Sequence, residues 1–309
     1  MAFTAQDVKT LREMTGCGMM DCKKALTETD GDQEKAIEYL REKGLSKAAK
    51  KAGRIAAEGM VGSFVYGDTG VVVEVNSETD FVAKNADFQK FVEDIAKTIA
   101  NNAPADVEEL KTLTIDGGSQ TVGDALTEKI ATIGENMNIR RFETYKGINQ
   151  SYVHAGGRIG VLVNFEVSDA SKAETPEFVE MAKNVAMQIA AAAPEYLTEE
   201  TVPTEVVEKE AEILKQQALN EGKPEAIVDK MVAGRIKKYY KEVCLVDQAY
   251  VKDPDMSVQK YVDGVANTLG TEIKIAKFAR FEKGEGMEKK QDNFCLLYTS
   301  PSPRDRSLS

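Results

Sequence analysis

The sequence predicts an α+β fold: an N-terminal three-helix domain, a duplicated core of two small antiparallel sheets with helices, and an inserted antiparallel helical hairpin. Three observations carry this expectation. Short apolar-periodic segments separated by turn residues fill the stretch from Thr4 to Gly44. A strand–turn–strand–helix pattern then occurs twice. Heptad-spaced apolar stripes interrupt the second copy after Pro203.

A chain of 309 residues is too long for one small core and calls for two or more domains. The expected division is 1–54 for the N-terminal domain and its linker, 55–148 for the first core half, 149–202 with 238–294 for the second, and 203–237 for the hairpin. Residues 295–309 are expected to be a non-native tail, being Ser/Pro/Arg-rich and without periodicity.

Thr4, with Asp7 three residues on, makes a capping-box-like start, and Val8, Leu11 and Met14 give the first helix an apolar stripe. Thr15-Gly16-Cys17-Gly18 breaks it, and Met20, Ala25 and Leu26 continue as a second helix. Asp32 caps a third, carrying Ala36, Ile37 and Leu40 and ending near Gly44. Lys43, Lys47, Lys50, Lys51 and Arg54 then recur at helical spacing, as in a solvated linker helix.

The duplication follows. Ser63-Phe64-Val65-Tyr66, Gly70-Val71-Val72-Val73, Phe91-Val92-Glu93 and Ala103-Pro104 form one copy. Ser151-Tyr152-Val153-His154, Gly160-Val161-Leu162-Val163, Phe178-Val179-Glu180 and Ala193-Pro194 form the other. A further strand is expected around Ile139–Tyr145. Beyond Pro203, Val207, Ala211, Leu214 and Ala218 keep heptad spacing, Gly222-Lys223-Pro224 turns the chain, and Val228, Val232, Ile236 and Tyr239 form the return stripe. The second core half resumes with a helix starting at Ser257 and an alternating strand from Glu272 to Phe281.

Composition narrows the function. A net charge of −11 argues against broad phosphate-backbone binding, so no nucleic-acid partner is expected. No apolar run approaches the ~20 residues that span a membrane, and with neither signal nor transit peptide the expected location is cytoplasmic. One histidine and four scattered cysteines assemble no familiar zinc set, and the cysteines read as reduced thiols. No Gly-x4-Gly-Lys-Ser/Thr run occurs, and Gly16-Cys17-Gly18 places Asp21 where a dinucleotide fingerprint needs its third glycine. His154 has no nucleophile tied to it. No catalytic constellation and no cofactor are expected.

What stands out is Asn76-Ser77-Glu78-Thr79-Asp80-Phe81-Val82-Ala83-Lys84-Asn85. It lies between the strand-like Val71–Val75 run and a helix carrying Phe88, Phe91, Val92, Ile95 and Ile99. Spacing alone favours Phe81 packed beneath that helix, with a partner-facing probe as the alternative.

Thr79-Asp80-Phe81-Val82-Ala83-Lys84-Asn85 resembles a signature of the elongation factor Ts family, bacterial guanine-nucleotide exchange factors for elongation factor Tu. The run from Leu11 to Leu26 resembles the family's N-terminal signature. The resemblance covers residues 1 to 294 or so. It implies a ubiquitin-associated-like N-terminal domain and elongation factor Tu as partner. It also implies that, within the motif Thr79, Asp80, Phe81 and Val82, Phe81 is a wedge that enters the GTPase and shifts helices near its Mg²⁺ and phosphate site, while Asp80 holds the register through a polar contact. His154, at the equivalent turn of the second repeat, would touch the same partner surface. Arg12, Met19, Met20 and Lys23 would dock the N-terminal domain, with Met19 or Met20 as core filler an equal reading on spacing. Ile133 and Gly134 match a further family contact. Some members dimerise through the hairpin, so self-association stays open. The competing reading is a passive interaction adaptor without exchange activity.

Overall fold

The computed structural model describes residues 3–15, 17–222 and 224–288, and the expected tail at 295–309 lies outside them. The first helices are α1 (Ala5–Thr15), α2 (Met19–Glu28) and α3 (Gln33–Lys51). Thr4 and Asp7 cap α1 reciprocally: the Thr4 N–H donates to Asp7 Oδ2 at 2.7 Å, and the Asp7 N–H to Thr4 Oγ1 at 3.3 Å. Asp32 caps α3 by accepting from the Lys35 N–H at 3.1 Å. Val8, Leu11, Cys22, Ala25, Leu26, Ala36 and Leu40 close a small core among the three.

Two expectations fail here. Met14 and Met20 are not part of that core; they are 62% and 76% exposed. Nor does α3 stop at Gly44, which keeps helical backbone and is followed by helix to Lys51.

The next elements are β1 (Glu58–Tyr66), β2 (Thr69–Ser77), the single turn α4 (Asp80–Ala83), α5 (Ala86–Asn102), α6 (Val107–Thr112), α7 (Val122–Ile133) and β3 (Met137–Lys146). The strands form an antiparallel sheet in the order β1-β2-β3. The sequence pattern leaves α6 and α7 unassigned. Here α7 explains Gly44: a Cβ on that glycine would lie 3.3 Å from Ala131 Cβ, so its absence lets α3 lie close along α7. The expected linker is therefore a packed continuation of α3, and its Ala48 rests on the first core.

The second half runs β4 (Ile148–His154), β5 (Ile159–Val167), α8 (Pro176–Ala192), α9 (Thr204–Asn220), α10 (Glu225–Val243), β6 (Ala249–Tyr250), β7 (Asp253–Ser257), α11 (Val258–Leu269) and β8 (Ile273–Glu282). Its sheet has the order β4-β5-β8, while β6 and β7 form a separate ribbon. Helices α9 and α10 pack on each other with Ala218 and Val228 buried. Arg235 pairs with Glu221 at 3.0 Å across their turn. The rest of the apolar seam (Val207, Ala211, Leu214, Val232, Ile236 and Tyr239) is half-buried. Helix α10 continues unbroken past residue 238 to Val243.

The duplication is visible in the backbone. Both central strands carry a bulge at the matching place, between Glu74 and Val75 in β2 and between Asn164 and Phe165 in β5. Helices α5 and α8 are each 17 residues long and end on an alanine in the left-handed region, Ala103 (φ 49°) and Ala193 (φ 45°), just before a proline.

The two sheets stack face to face. Val61, Val72, Tyr145, Leu162, Ala279 and Phe281 fill the space between them, and the Ser63 hydroxyl donates to the Val161 carbonyl at 2.8 Å. Helices α5 and α7 cover the outer face of the first sheet, and α8 and α11 that of the second. This explains why β2 is buried at every one of its positions: Val71, Val73 and Val75 face the helices while Val72 faces the other sheet. A strand covered on both sides has no polar face and shows no alternation.

Candidate functional site: a strand-to-helix corner with an exposed aromatic

Strand β2 ends at Ser77, and α4 begins three residues later. Asn85 then caps α5 by accepting from the Asp87 N–H at 2.8 Å. The cap matters, because α4 and α5 are separate helices and the apolar phase of one does not continue into the other. Val82 and Ala83 go into the first core beside Phe88 and Phe91. Phe81 points away and is 77% exposed. The packing that spacing favoured for Phe81 is thus overturned, and the break at Lys84-Asn85 is the reason.

Beside the ring, Lys84 Nζ lies 5.6 Å from its centroid and donates to Asp80 Oδ2 at 2.8 Å. That hydrogen bond holds the Asp80 carboxyl below the usual carboxylate range, with a smaller contribution from the charge on Lys283. The corner therefore shows solvent an aromatic face, a carboxylate and an ammonium within one turn.

Hydrogen bonds to the segment between α7 and β3 fix the corner. The Thr79 N–H donates to Glu135 Oε2 at 2.9 Å, and the Thr79 hydroxyl to Glu135 Oε1 at 2.7 Å. In return Glu78 Oε1 accepts from the Asn136 N–H at 2.6 Å and from Arg54 at 3.4 Å. The Ser77 hydroxyl donates to the Thr79 carbonyl at 2.9 Å. Ile133 is half-buried against the first core, and Gly134 ends α7 at φ 87°. Of this segment the family resemblance marks Ile133 and Gly134 but not Glu135 or Asn136. The readable signal was the pair of carboxylates, Glu78 and Glu135, each beside a chain turn.

His154 ends β4, exposed, with the Tyr152 hydroxyl 3.1 Å from Nδ1. It matches Tyr66 at the β1–β2 turn rather than the β2–α4 corner, which corrects the expected equivalence. Stacking of the sheets nevertheless brings its turn to the Phe81 end of the core. The Arg158 N–H donates to the His154 carbonyl at 3.1 Å, and the Lys283 N–H to the Arg158 carbonyl at 2.9 Å. Lys283 pairs with Glu58, which faces Ser77 in the first sheet.

Close by, Glu74 is fully buried. It accepts from the Gly284 N–H at 2.8 Å, Asn76 at 3.0 Å, Arg140 at 3.1 Å and Arg141 at 2.7 Å. Burial alone would raise its pKa; the bonds from Gly284, Asn76 and Arg141 outweigh that and hold it below 4.5. This carboxylate stitches the first sheet to the turn after β8.

Arg12, Met19, Met20 and Lys23 are all exposed on α1 and α2, so Met19 and Met20 are surface residues rather than core filler. Among the described residues, no three His, Cys, Asp or Glu side chains gather as metal ligands. No described helix is long and apolar enough to cross a membrane.

Fold and corner together define a class: an α+β protein with a duplicated, stacked-sheet core that holds one aromatic side chain out to solvent on a braced corner. Comparison with known proteins narrows it. The family model described as Elongation factor TS matches residues 78–285, from the corner to the turn after β8. The chain is 57% identical over 298 residues to elongation factor Ts of Clostridium perfringens (strain SM101 / Type A), covering 95% of this chain and 97% of that one. It is 51% identical over 303 residues to elongation factor Ts of Syntrophotalea carbinolica, covering 97% and 99%. The chain belongs to the elongation factor Ts family, a family of translation elongation factors.

Proposed function

We propose that this chain is the guanine-nucleotide exchange factor for elongation factor Tu, acting in the cytoplasm by displacing GDP without covalent chemistry or a cofactor. A P-loop GTPase holds GDP through backbone N–H groups around the phosphates and through Mg²⁺. A protein that binds the nucleotide-free or distorted GTPase more tightly than the GDP-bound one lowers GDP affinity by the same factor. A coupling of ~4 kcal/mol corresponds to roughly a thousandfold.

The observation that carries this reading is Phe81. A large aromatic left in water is an uncommon use of an apolar side chain, and here a braced corner holds it there. In this reading Phe81 is the wedge that shifts the GTPase near its Mg²⁺ and phosphate site, and Asp80 sets its register. His154 meets the partner from the neighbouring turn, with Ile133 and Gly134 at the edge of the same contact. The N-terminal helices act as a ubiquitin-associated-like docking domain through Arg12, Met19, Met20 and Lys23, the methionines giving an adaptable apolar surface. Helices α9 and α10 form the inserted antiparallel helical hairpin.

The test is release of a fluorescent GDP analogue from elongation factor Tu, with this protein at substoichiometric amounts. Accelerated release with turnover is expected, and Phe81→Ala is expected to weaken it. Because Phe81 is mostly exposed, that variant is expected to lose no more than about 0.5 kcal/mol of stability, against ~3–5 kcal/mol for the buried Phe88→Ala. Binding without acceleration would instead make the chain a passive adaptor.

A further inference from the structure

The internal duplication supplies a comparison within one molecule. The strand-to-helix corner exists twice, after β2 and after β5, and the two can be aligned by register. Ser77 faces Met137 across the first sheet, and Val167 faces Ile273 across the second. Two residues beyond Ser77 is Thr79, and two before Met137 is Glu135. The same steps in the second half reach Asp169 and Thr271. These are again bonded, the Asp169 N–H donating to Thr271 Oγ1 at 3.1 Å.

The two corners thus share one brace, from a backbone N–H to the segment before the outer strand. They differ in strength and in what they carry. Four residues beyond Val167, where the first half has Phe81, the second half has Ser171. At the bare corner the side-chain acceptor is a single neutral hydroxyl, beside a backbone bond from the Ser168 N–H to the Glu272 carbonyl at 3.1 Å. At the aromatic corner it is a carboxylate taking both the N–H and the hydroxyl of Thr79, at 2.9 and 2.7 Å. Bonds to a carboxylate are the stronger kind, and here both are made by the one residue that precedes Asp80 and Phe81. Thr79 is also the N-cap of α4, yet it makes no side-chain cap bond; its hydroxyl goes to Glu135.

We infer that Glu135 is a positioning residue for nucleotide exchange, which holds the Thr79 peptide so that Phe81 and Asp80 meet the partner already oriented. This rests on the exchange reading above. Holding a contact group in place ahead of binding removes the ordering cost from the step it serves. Glu78, bonded to the Asn136 N–H, braces the other side of the same corner.

The experiment compares wild type, Glu135→Ala, Phe81→Ala and the double variant, each full-length, for maximal rate and half-saturation in GDP release from elongation factor Tu. Glu135→Ala is expected to lower the maximal rate ~10- to 100-fold with half-saturation nearly unchanged. Glu135→Gln, which keeps one acceptor oxygen, should fall between. In the Phe81→Ala background the same change should do much less, because only Asp80 is left to orient. Losses that multiply in the double variant, or a wild-type rate in Glu135→Ala, would overturn the assignment.

Hydrogen exchange of the Thr79 amide, which donates to Glu135, gives a second readout, independent of elongation factor Tu. Glu135→Ala should speed its exchange while the β2 and β3 amides keep their protection. Unchanged local exchange refutes the brace, and loss of protection throughout the sheet makes Glu135 merely structural. If the amide responds as expected but the wild type releases no GDP, the brace exists and the exchange reading is what has failed; the assigned role falls with it.

Discussion

Glu74 offers the sharpest test of how the core is held. Its carboxylate is fully buried, with the Gly284 N–H and the Asn76 amide on Oε1, Arg141 Nε on Oε2, and the Arg140 guanidinium shared between the two oxygens at 3.1 and 3.3 Å. Glu74→Gln keeps the shape and removes the charge. Whichever way the amide turns, its NH₂ faces donors, Arg141 and Arg140 in one orientation and three donors in the other. At least one charge-assisted bond is lost and a donor is left buried without an acceptor, a cost of ~2–4 kcal/mol. Glu74→Ala leaves the Gly284 N–H without its acceptor and the two guanidinium groups with only Glu282 and Glu285 to bind, and should cost ~3–5 kcal/mol. Urea unfolding followed by circular dichroism at pH 7 measures both.

The pH dependence follows from the direction of the shift. The folded pKa lies below the ordinary 4.5, so the unfolded chain binds the proton more readily. Glu74 therefore contributes its stabilisation fully above about pH 4.5 and loses it as pH falls through the folded value. The acid limb of stability should be shallower in Glu74→Gln. Losses below ~1 kcal/mol in both variants, or an acid limb identical to wild type, would refute the idea that this carboxylate ties the two halves together.

Two further outcomes follow from backbone geometry. A Cβ on Gly160 would lie 2.4 Å from Val61 Cγ1 across the sheet–sheet interface, so Gly160→Ala should cost ~1–3 kcal/mol; an unchanged melting temperature would mean the sheets can part freely. Ala193 sits at φ 45° just past α8, where glycine escapes the left-handed penalty. Ala193→Gly should stabilise by about 0.5–1 kcal/mol, after allowing for the greater freedom of glycine in the unfolded chain. Calorimetry would decide, and destabilisation would contradict the reasoning.

Much of this architecture is local and so could be read from residue order. Thr4, Asp32 and Ser257 cap helices where their spacing says they should, because a cap needs only the next three residues. The duplication, its strands and its paired Ala-Pro helix ends are written in the repeat itself, and the family signatures pointed to the corner. Other features were settled by residues far away in the chain. Gly44 is a helix stop by pattern and a packing notch once α7 lies against it. Phe81 matches the apolar stripe of α5 by counting, but Asn85 restarts the helix and Val82 and Ala83 take the inward places. Glu135 reaches Thr79 across 56 positions, a separation at which periodicity carries no information. His154 comes to the Phe81 end only because the sheets stack. Sequence determined most of the helices and strands, though not α6, α7 or the β6–β7 ribbon, and which family the chain joins, since period, capping and motif are properties of neighbours. The tertiary structure alone decided which apolar side chain stays in water and which carboxylates hold it there, because that depends on what lies across the sheet.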